Sequence, residues 1–374
     1  AVQAVLDQRE EAIGAGDRGA FLDTIDPEAP DAFRRAQGRL FDGLRTVRFS
    51  RYELVVRSDE VPDLSAGLAE RYPGADDVFL PPVEGRYLIA GADEIDAVDG
   101  LFYTFLLRDG RWRIVSDSDL ADLGLPSARN PWDFGPVAQL GSEHFTVLFD
   151  EADRSRARAL ADLAERGYGR LTRSFGRPVP TRIVLVLPHT TEELRDMIQA
   201  TFDLSNFVAF AAASVDRDRG WSTTAPRVYA QDDNLAASVE SYQLETMHHE
   251  FIHVAAFPLA GPFVPSWVHE GVADWLASGR PKALGVAGSD SLVPDDYEFT
   301  TGGQGSILTA YAESSSAIAF LAETEGPSAP LDLLVEAGAP RVAPGTADYH
   351  LDQAMRKVSG AGMGEFQAAW DGGA

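Results

Sequence analysis

The chain of 374 residues is long enough for two or three domains with cores of their own, and its 45% hydrophobic and 10% aromatic content is that of a folded protein, not a disordered one. A net charge of −26 leaves no basic surface to release counterions, which argues against nucleic acid or an anionic membrane as a partner. Cysteine is absent, so disulfides, thiol catalysis and thiolate metal ligation are excluded together. Lysine stands only at Lys282 and Lys357, a compositional bias towards arginine. No run of 18 apolar residues occurs, so no membrane-spanning helix is expected within the sequence.

In chain order, apolar Val2, Val5, Ala12 and Ile13 among charges predict a helix over 1–13, stopped by Gly14-Ala15-Gly16. Shorter helices are expected over 17–25 and 30–44. The period then changes to two. Residues 46–56 alternate as a half-buried strand does, and strands are expected at 83–90, 101–108 and 111–116. Asp109-Gly110 joins the last two and is the strongest short hairpin signal. Pro126, Pro131 and Pro136 among Gly, Ser and Asn mark a linker at 123–141 between a first domain, 1–122, and a second, 142–374.

The second domain opens with a strand at 144–149, a long helix over 151–175, a strand at 182–187 and a helix over 190–200. The apolar stretch 207–215 reads as an edge strand lining a cleft or as a buried strand, with a charged turn at 216–220. A helix is expected from Ser238 or Ser241, either of which can cap it, to Phe257, with Leu244, Met247, Phe251 and Val254 as its core face. Another runs from Pro265 to Gly279, before Pro281. Residues 283–305, rich in glycine, read as a loop that can border the cleft. Helices at 306–324, 329–336, 349–358 and 363–370 complete an α+β chain.

Two motifs carry chemistry. His249-Glu250-Phe251-Ile252-His253 puts two imidazoles four residues apart, on one helical face, where both can reach one metal ion. Glu250 projects beside them and can take a proton from a water on that metal. Such a five-residue match arises by chance in roughly one chain of this kind per hundred. Glu270-Gly271-Val272-Ala273-Asp274 follows, again two carboxylates on one face. A catalytic zinc takes three protein ligands and keeps an open position. Glu270 can supply the third ligand, and Asp274 can accept the far N–H of a bound imidazole. His248 lies off the ligand face. His269, next to Glu270, points about 100° away on an ideal helix, towards the surface or behind the ligands.

His249-Glu250-x-x-His253 followed by Glu270-x-x-x-Asp274 resembles the gluzincin metallopeptidases, the clan of thermolysin and the zinc aminopeptidases. The run from Pro265-Ser266-Trp267 through Glu270-Gly271 to Asp274-Trp275-Leu276 is especially similar to the bacterial peptidase MA-like branch. The resemblance covers 142–374 and implies an upper subdomain with the zinc helix (142–260) and a helical lower one (261–374). It implies Zn2+ held by His249, His253 and Glu270, with Glu250 as general base and Asp274 as orienter. Similar peptidases often have a Tyr-x-x-Ser step like Tyr311-Ala312-Glu313-Ser314. Tyr311 is then either the hydroxyl that meets the oxyanion or a core tyrosine; Tyr349 and His350 are weaker candidates. The metzincin pattern is absent, since Val254-Ala255-Ala256-Phe257-Pro258-Leu259 lacks its glycine and third histidine. No Gly-Ala-Met-Glu-Asn-like exopeptidase element occurs, which favours an endopeptidase acting on a peptide or protein. Export, with a leader or anchor outside the sequence read, is the expected location.

Helices followed by a meander ending in Leu107-Arg108-Asp109-Gly110-Arg111-Trp112-Arg113-Ile114-Val115 are similar to the cone-shaped fold of nuclear transport factor two and ketosteroid isomerase. That resemblance implies an accessory domain and assigns it no ligand. Three rivals to the peptidase reading stand beside it. One is a non-catalytic binding or scaffold protein of the cell envelope with a vestigial or structural zinc site. Another is a zinc hydrolase of non-peptide substrates. The third is non-haem iron on the same two-histidine, one-carboxylate set; helical spacing and Glu250 favour zinc.

Overall fold

A computed structural model of the chain describes residues 1–57, 67–204, 207–279, 293–300, 304–339 and 345–371. Most of the glycine-rich stretch expected at 283–305 lies outside them. The fold is mixed α+β with several small sheets. Contacts group it into two units: Ala1–Leu140 with Thr146–Ala157 and Val186–Gln199, and Gly141–Phe145 with Arg158–Leu185 and Ala200–Ala374.

The chain begins with helices α1 (Val2–Ala15), α2 (Arg18–Leu22) and α3 (Asp31–Leu44). Gly16, in the left-handed region at φ 73°, closes α1, and the Asp17 side chain caps α2 by accepting from the Ala20 amide. α2 stops short of the expected 25. Past Leu22 the backbone turns to pair with a strand: Asp26 N–H donates to the Ile114 carbonyl and Ile114 N–H to that of Thr24.

Strands β1 (Phe49–Val56), β2 (Asp77–Phe79), β3 (Val83–Ile89), β4 (Ala97–Leu101), β5 (Thr104–Arg108) and β6 (Arg111–Ser116) follow. They form two antiparallel sheets, β1-β3-β4 and β2-β5-β6. The strand expected at 101–108 begins at Thr104, as β5; Leu101 instead ends β4, an unexpected strand of the other sheet. The β5–β6 turn sits at Asp109 (φ 49°) and Gly110 (φ 70°), the positive pair a tight hairpin demands. Leu6, Leu54, Phe105, Leu106 and Ile114 are buried in one core. Arg9 is buried with them: it donates to the Thr24 hydroxyl and the Gln37 carbonyl, and its guanidinium lies 3.9 Å above the Phe21 ring.

Next come α4 (Pro131–Phe134), β7 (Ala138–Gly141), β8 (Phe145–Phe149), α5 (Arg154–Ser174), β9 (Ile183–Leu187), α6 (Thr191–Ile198), β10 (Ala209–Asp216), β11 (Ser222–Ala230) and α7 (Asp232–Ala237). The strands hydrogen-bond in the order β10-β11-β9-β8-β7, so β10 is an edge, one of the two roles its sequence allowed. β11 was not legible because Pro226 breaks its pattern. The proline sits where the β10–β11 register shifts, beside Ala225 at φ 45°, which is where a strand tolerates it.

The remaining helices are α8 (Glu240–Ala260), α9 (Ser266–Ser278), α10 (Gln304–Glu325), α11 (Ala329–Gly338), α12 (Ala347–Ser359) and α13 (Met363–Asp371). α8 packs against α9, α11, β10 and β11. Neither Ser238 nor Ser241 caps it: Val239 is its N-cap, and the Ser238 hydroxyl donates to the Asn234 carbonyl. α8 also runs past Pro258, where the sequence suggested a stop. Only one backbone donor is lost there, in the last turn, and the Gly261 amide closes the helix on the Phe257 carbonyl. Among the described residues no helix is long and apolar enough to cross a membrane.

Candidate metal centre

Every residue of α8 from Met247 to Ala256 is buried. A helix with no solvated face carries ionisable side chains only where partners meet them, because an unpaired charge there is costly. Four such residues stand on it: His248, His249, Glu250 and His253, each less than a tenth exposed. His248 turns away from the others and meets the Ser174 hydroxyl at 2.7 Å, and burial, aided by nearby Arg170, pushes it down to about 4.

His249 and His253 share a face as their spacing requires. Their rings stand 4.8 Å apart at 77°, with Nε2 atoms 3.1 Å from each other. α9 brings Glu270 to them. Its Oε2 lies 3.1 Å from His249 Nε2 and 3.4 Å from His253 Nε2. Asp274, one turn further and fully buried, sets Oδ1 2.9 Å from His249 Nδ1. That contact favours a proton on Nδ1, so that a neutral His249 ring would present the Nε2 lone pair to a metal ion.

The three-residue group fits zinc. Ligand atoms at about 2.1 Å from a tetrahedral zinc stand roughly 3.4 Å from one another. The three observed separations are 3.1, 3.1 and 3.4 Å. Two imidazole nitrogens and one carboxylate oxygen are a catalytic zinc's donor set, and among the described residues no other group of three potential ligands converges in this way.

The surroundings are strongly polarised. Burial works against charge on His249, yet Asp274 and Glu270 outweigh it and hold the ring up at about 10. Burial likewise pushes the Glu270 carboxyl up, and the His253 and His249 rings outweigh it, so the group lies far below the usual carboxylate range. Glu250 behaves differently. Burial raises its carboxyl above the ordinary value, His249 and His253 oppose the rise, and the Ala211 backbone N–H of β10 donates to it.

These residues open on a cleft of about 310 Å³. Residues of β10 line one side, Glu250, His253 and Phe257 of α8 another, and His269 and Glu270 of α9 a third. Tyr311 of α10 also lines it. Its hydroxyl is held well above its ordinary range, first by burial and then by the charges of Glu270, Glu250 and Asp274, and so stays protonated. The Ser314 hydroxyl, by contrast, donates back to the Ala310 carbonyl of its own helix. Tyr349 is 64% exposed, and neither it nor His350 is among the described residues lining the cleft.

The structure therefore brings His249, Glu250, His253, Glu270, Asp274 and Tyr311 together. Two neighbours, Phe257 and the Ala211 amide, were not expected from the sequence, and His269, expected towards the surface or behind the ligands, lines the cleft. Phe257 follows His253 by four residues, so its position on the ligand face was readable. The Ala211 amide carries no side-chain signal. His269 reaches the cleft although it is adjacent to Glu270, because the cleft wraps around more than one face of α9. Burial, with His253 adding to it, pushes that imidazole down to about 4. Comparison with known protein families, characterised proteins and solved structures finds no match to this chain.

Proposed function

We propose that the chain is a zinc-dependent hydrolase of peptide bonds, of the gluzincin type and acting as an endopeptidase. One observation carries the reading: His249, His253 and Glu270 converge at the separations one tetrahedral ion requires, with buried Glu250 beside them in an open cleft. Structural zinc sites are closed by a fourth protein ligand. Here the converging group holds three among the described residues, which favours catalysis over a scaffold role. On this reading residues 142–374 are a zincin domain and 1–122 a cone-like accessory domain.

Zinc held by His249, His253 and Glu270 supplies Lewis acidity toward water and toward a carbonyl oxygen. Glu250 takes a proton from the attacking water on its carboxylate and returns it to the leaving amine nitrogen. Its raised proton affinity makes it a stronger base, and the Ala211 N–H holds the carboxylate in place. Asp274 keeps the His249 proton on Nδ1 and so keeps Nε2 as a ligand. The Tyr311 phenol donates to the carbonyl oxygen as negative charge develops there. The free edge of β10 offers backbone groups to an extended substrate.

The test is Glu250→Gln. Peptide hydrolysis should fall by roughly 10²–10⁴-fold while zinc content stays unchanged, since Glu250 is not a ligand. An E250Q protein that cleaves peptides at the original rate would overturn the assignment.

A further inference from the structure

His269 is the histidine of the cleft that the proposed mechanism leaves without a task. It lines the same cleft as Glu250, His253, Glu270 and Tyr311. Its ring centroid stands 6.3 Å from that of His253 and 5.5 Å from that of Phe257. It is not one of the three converging ligands. Its Nδ1 is buried and has no hydrogen-bond partner among the described residues.

His248 Nδ1 is unpartnered as well, but that ring is held at its other nitrogen, whereas no hydrogen bond holds the His269 ring among the described residues. His144 meets Glu165 at 2.8 Å, His189 meets Asp153 at 2.7 Å, His248 meets Ser174 at 2.7 Å and His249 meets Glu270 at 3.1 Å. Buried polar groups are normally satisfied, and one left over at the wall of a cleft marks where a ligand's polar group belongs. Apolar Phe257, Pro262 and Val264 line the same cleft, with Phe257 against the His269 ring. Among the described residues no lysine or arginine lines the cleft.

We infer that His269 is a substrate-binding residue: its ring hydrogen-bonds a backbone group of an internal peptide segment, and with Phe257 it flanks an uncharged, bulky apolar or aromatic side chain. The inference rests on the peptidase reading and deepens it. An imidazole ring carries two hydrogen-bonding nitrogens, enough to meet one peptide unit. A substrate with an acidic side chain at this place meets apolar walls and two carboxylates, Glu250 and Glu270, and is rejected.

The experiment uses the full chain, zinc-loaded, with Glu250→Gln to prevent turnover. Peptides blocked at both ends and carrying central Phe, Ala or Asp are titrated by calorimetry against E250Q, E250Q/H269A and E250Q/H269F. The phenylalanine replacement keeps a ring but removes both nitrogens. E250Q should bind the Phe peptide best and the Asp peptide least, and both double variants should bind the Phe peptide roughly three- to tenfold more weakly. Zinc content should be equal in all three proteins. Unchanged binding in E250Q/H269F and E250Q/H269A overturns this inference and leaves the peptidase reading standing. Loss of zinc from both double variants would make His269 a support of the metal ligands and also overturns it. No peptide binding to E250Q overturns both readings. Binding without hydrolysis by the wild-type chain counts against the peptidase reading alone.

Discussion

Asp153 and His189 show how a single titrating pair behaves away from the metal centre. His189 Nδ1 lies 2.7 Å from Asp153 Oδ2, and Arg156 bonds the other oxygen at 3.0 Å. The hydrogen bond to Asp153 holds His189 above its ordinary value of 6.5. Burial pushes Asp153 up, but His189 and Arg156 outweigh it and hold the carboxyl below 3.8. A raised histidine contributes stability that is complete below 6.5 and is lost as pH rises through the raised value; a depressed carboxyl contributes stability present above 3.8 and lost as pH falls. The pair therefore acts fully between those two values and fades on either side. Because the imidazole is half exposed, its effect on global stability is small. It is best read locally, by NMR titration of the ring in wild type and in Asp153→Asn. The midpoint should fall toward 6.5 in the variant, and an unchanged midpoint would remove the pair from the account. The metal-centre residues were legible in the chain because spacings of four convert directly into one helical face: 249 with 253, and 270 with 274. Tyr311 was legible only through the family resemblance. The Ala211 amide and the cleft-facing position of His269 were not, since both depend on how separate segments pack.

At the scale of elements, the candidate metal centre depends on how closely α9 approaches its neighbours. Gly271 follows Glu270 directly, and a Cβ there would lie against the Ile318 side chain and 2.5 Å from the Ser314 carbonyl oxygen of α10. The helix backbones are in close contact at that point, and only hydrogen fits. Gly338 does the same for α11 against the Ala260 carbonyl of α8. Gly271→Ala should cost about 1–3 kcal/mol of stability, read from urea denaturation, and should weaken zinc retention because Glu270 shifts with the helix. A change within about 0.5 kcal/mol would mean that α9 and α10 are not in this contact. The sequence marked both ends of α9, with Pro265 before it and Gly279 at φ 69° after it. It misjudged the end of α8 because a proline in a last turn removes only one donor. Four strands escaped notice: β2, only three residues long, β4, β7, which lies within the expected linker, and β11, where Pro226 sits at an irregular register.

At the scale of the whole molecule, the class of fold was readable. Helical and two-residue periods along the chain gave a mixed α+β protein, which the small sheets and long helices bear out. Contacts group 146–157 and 186–199 with 1–140, a partition that no local composition shift marks. The strong negative charge of the chain finds no complement in the cleft, where the only charged side chains among the described residues are those of the metal centre. Zinc binding by these side chains is the central proposal. It is tested most directly by mass spectrometric metal analysis of the full chain purified without chelator, beside His253→Ala. The account predicts about one zinc per chain in the wild type and its loss in H253A. A wild-type protein that takes up no zinc even when supplied with it, or an H253A protein that keeps it, would contradict the account.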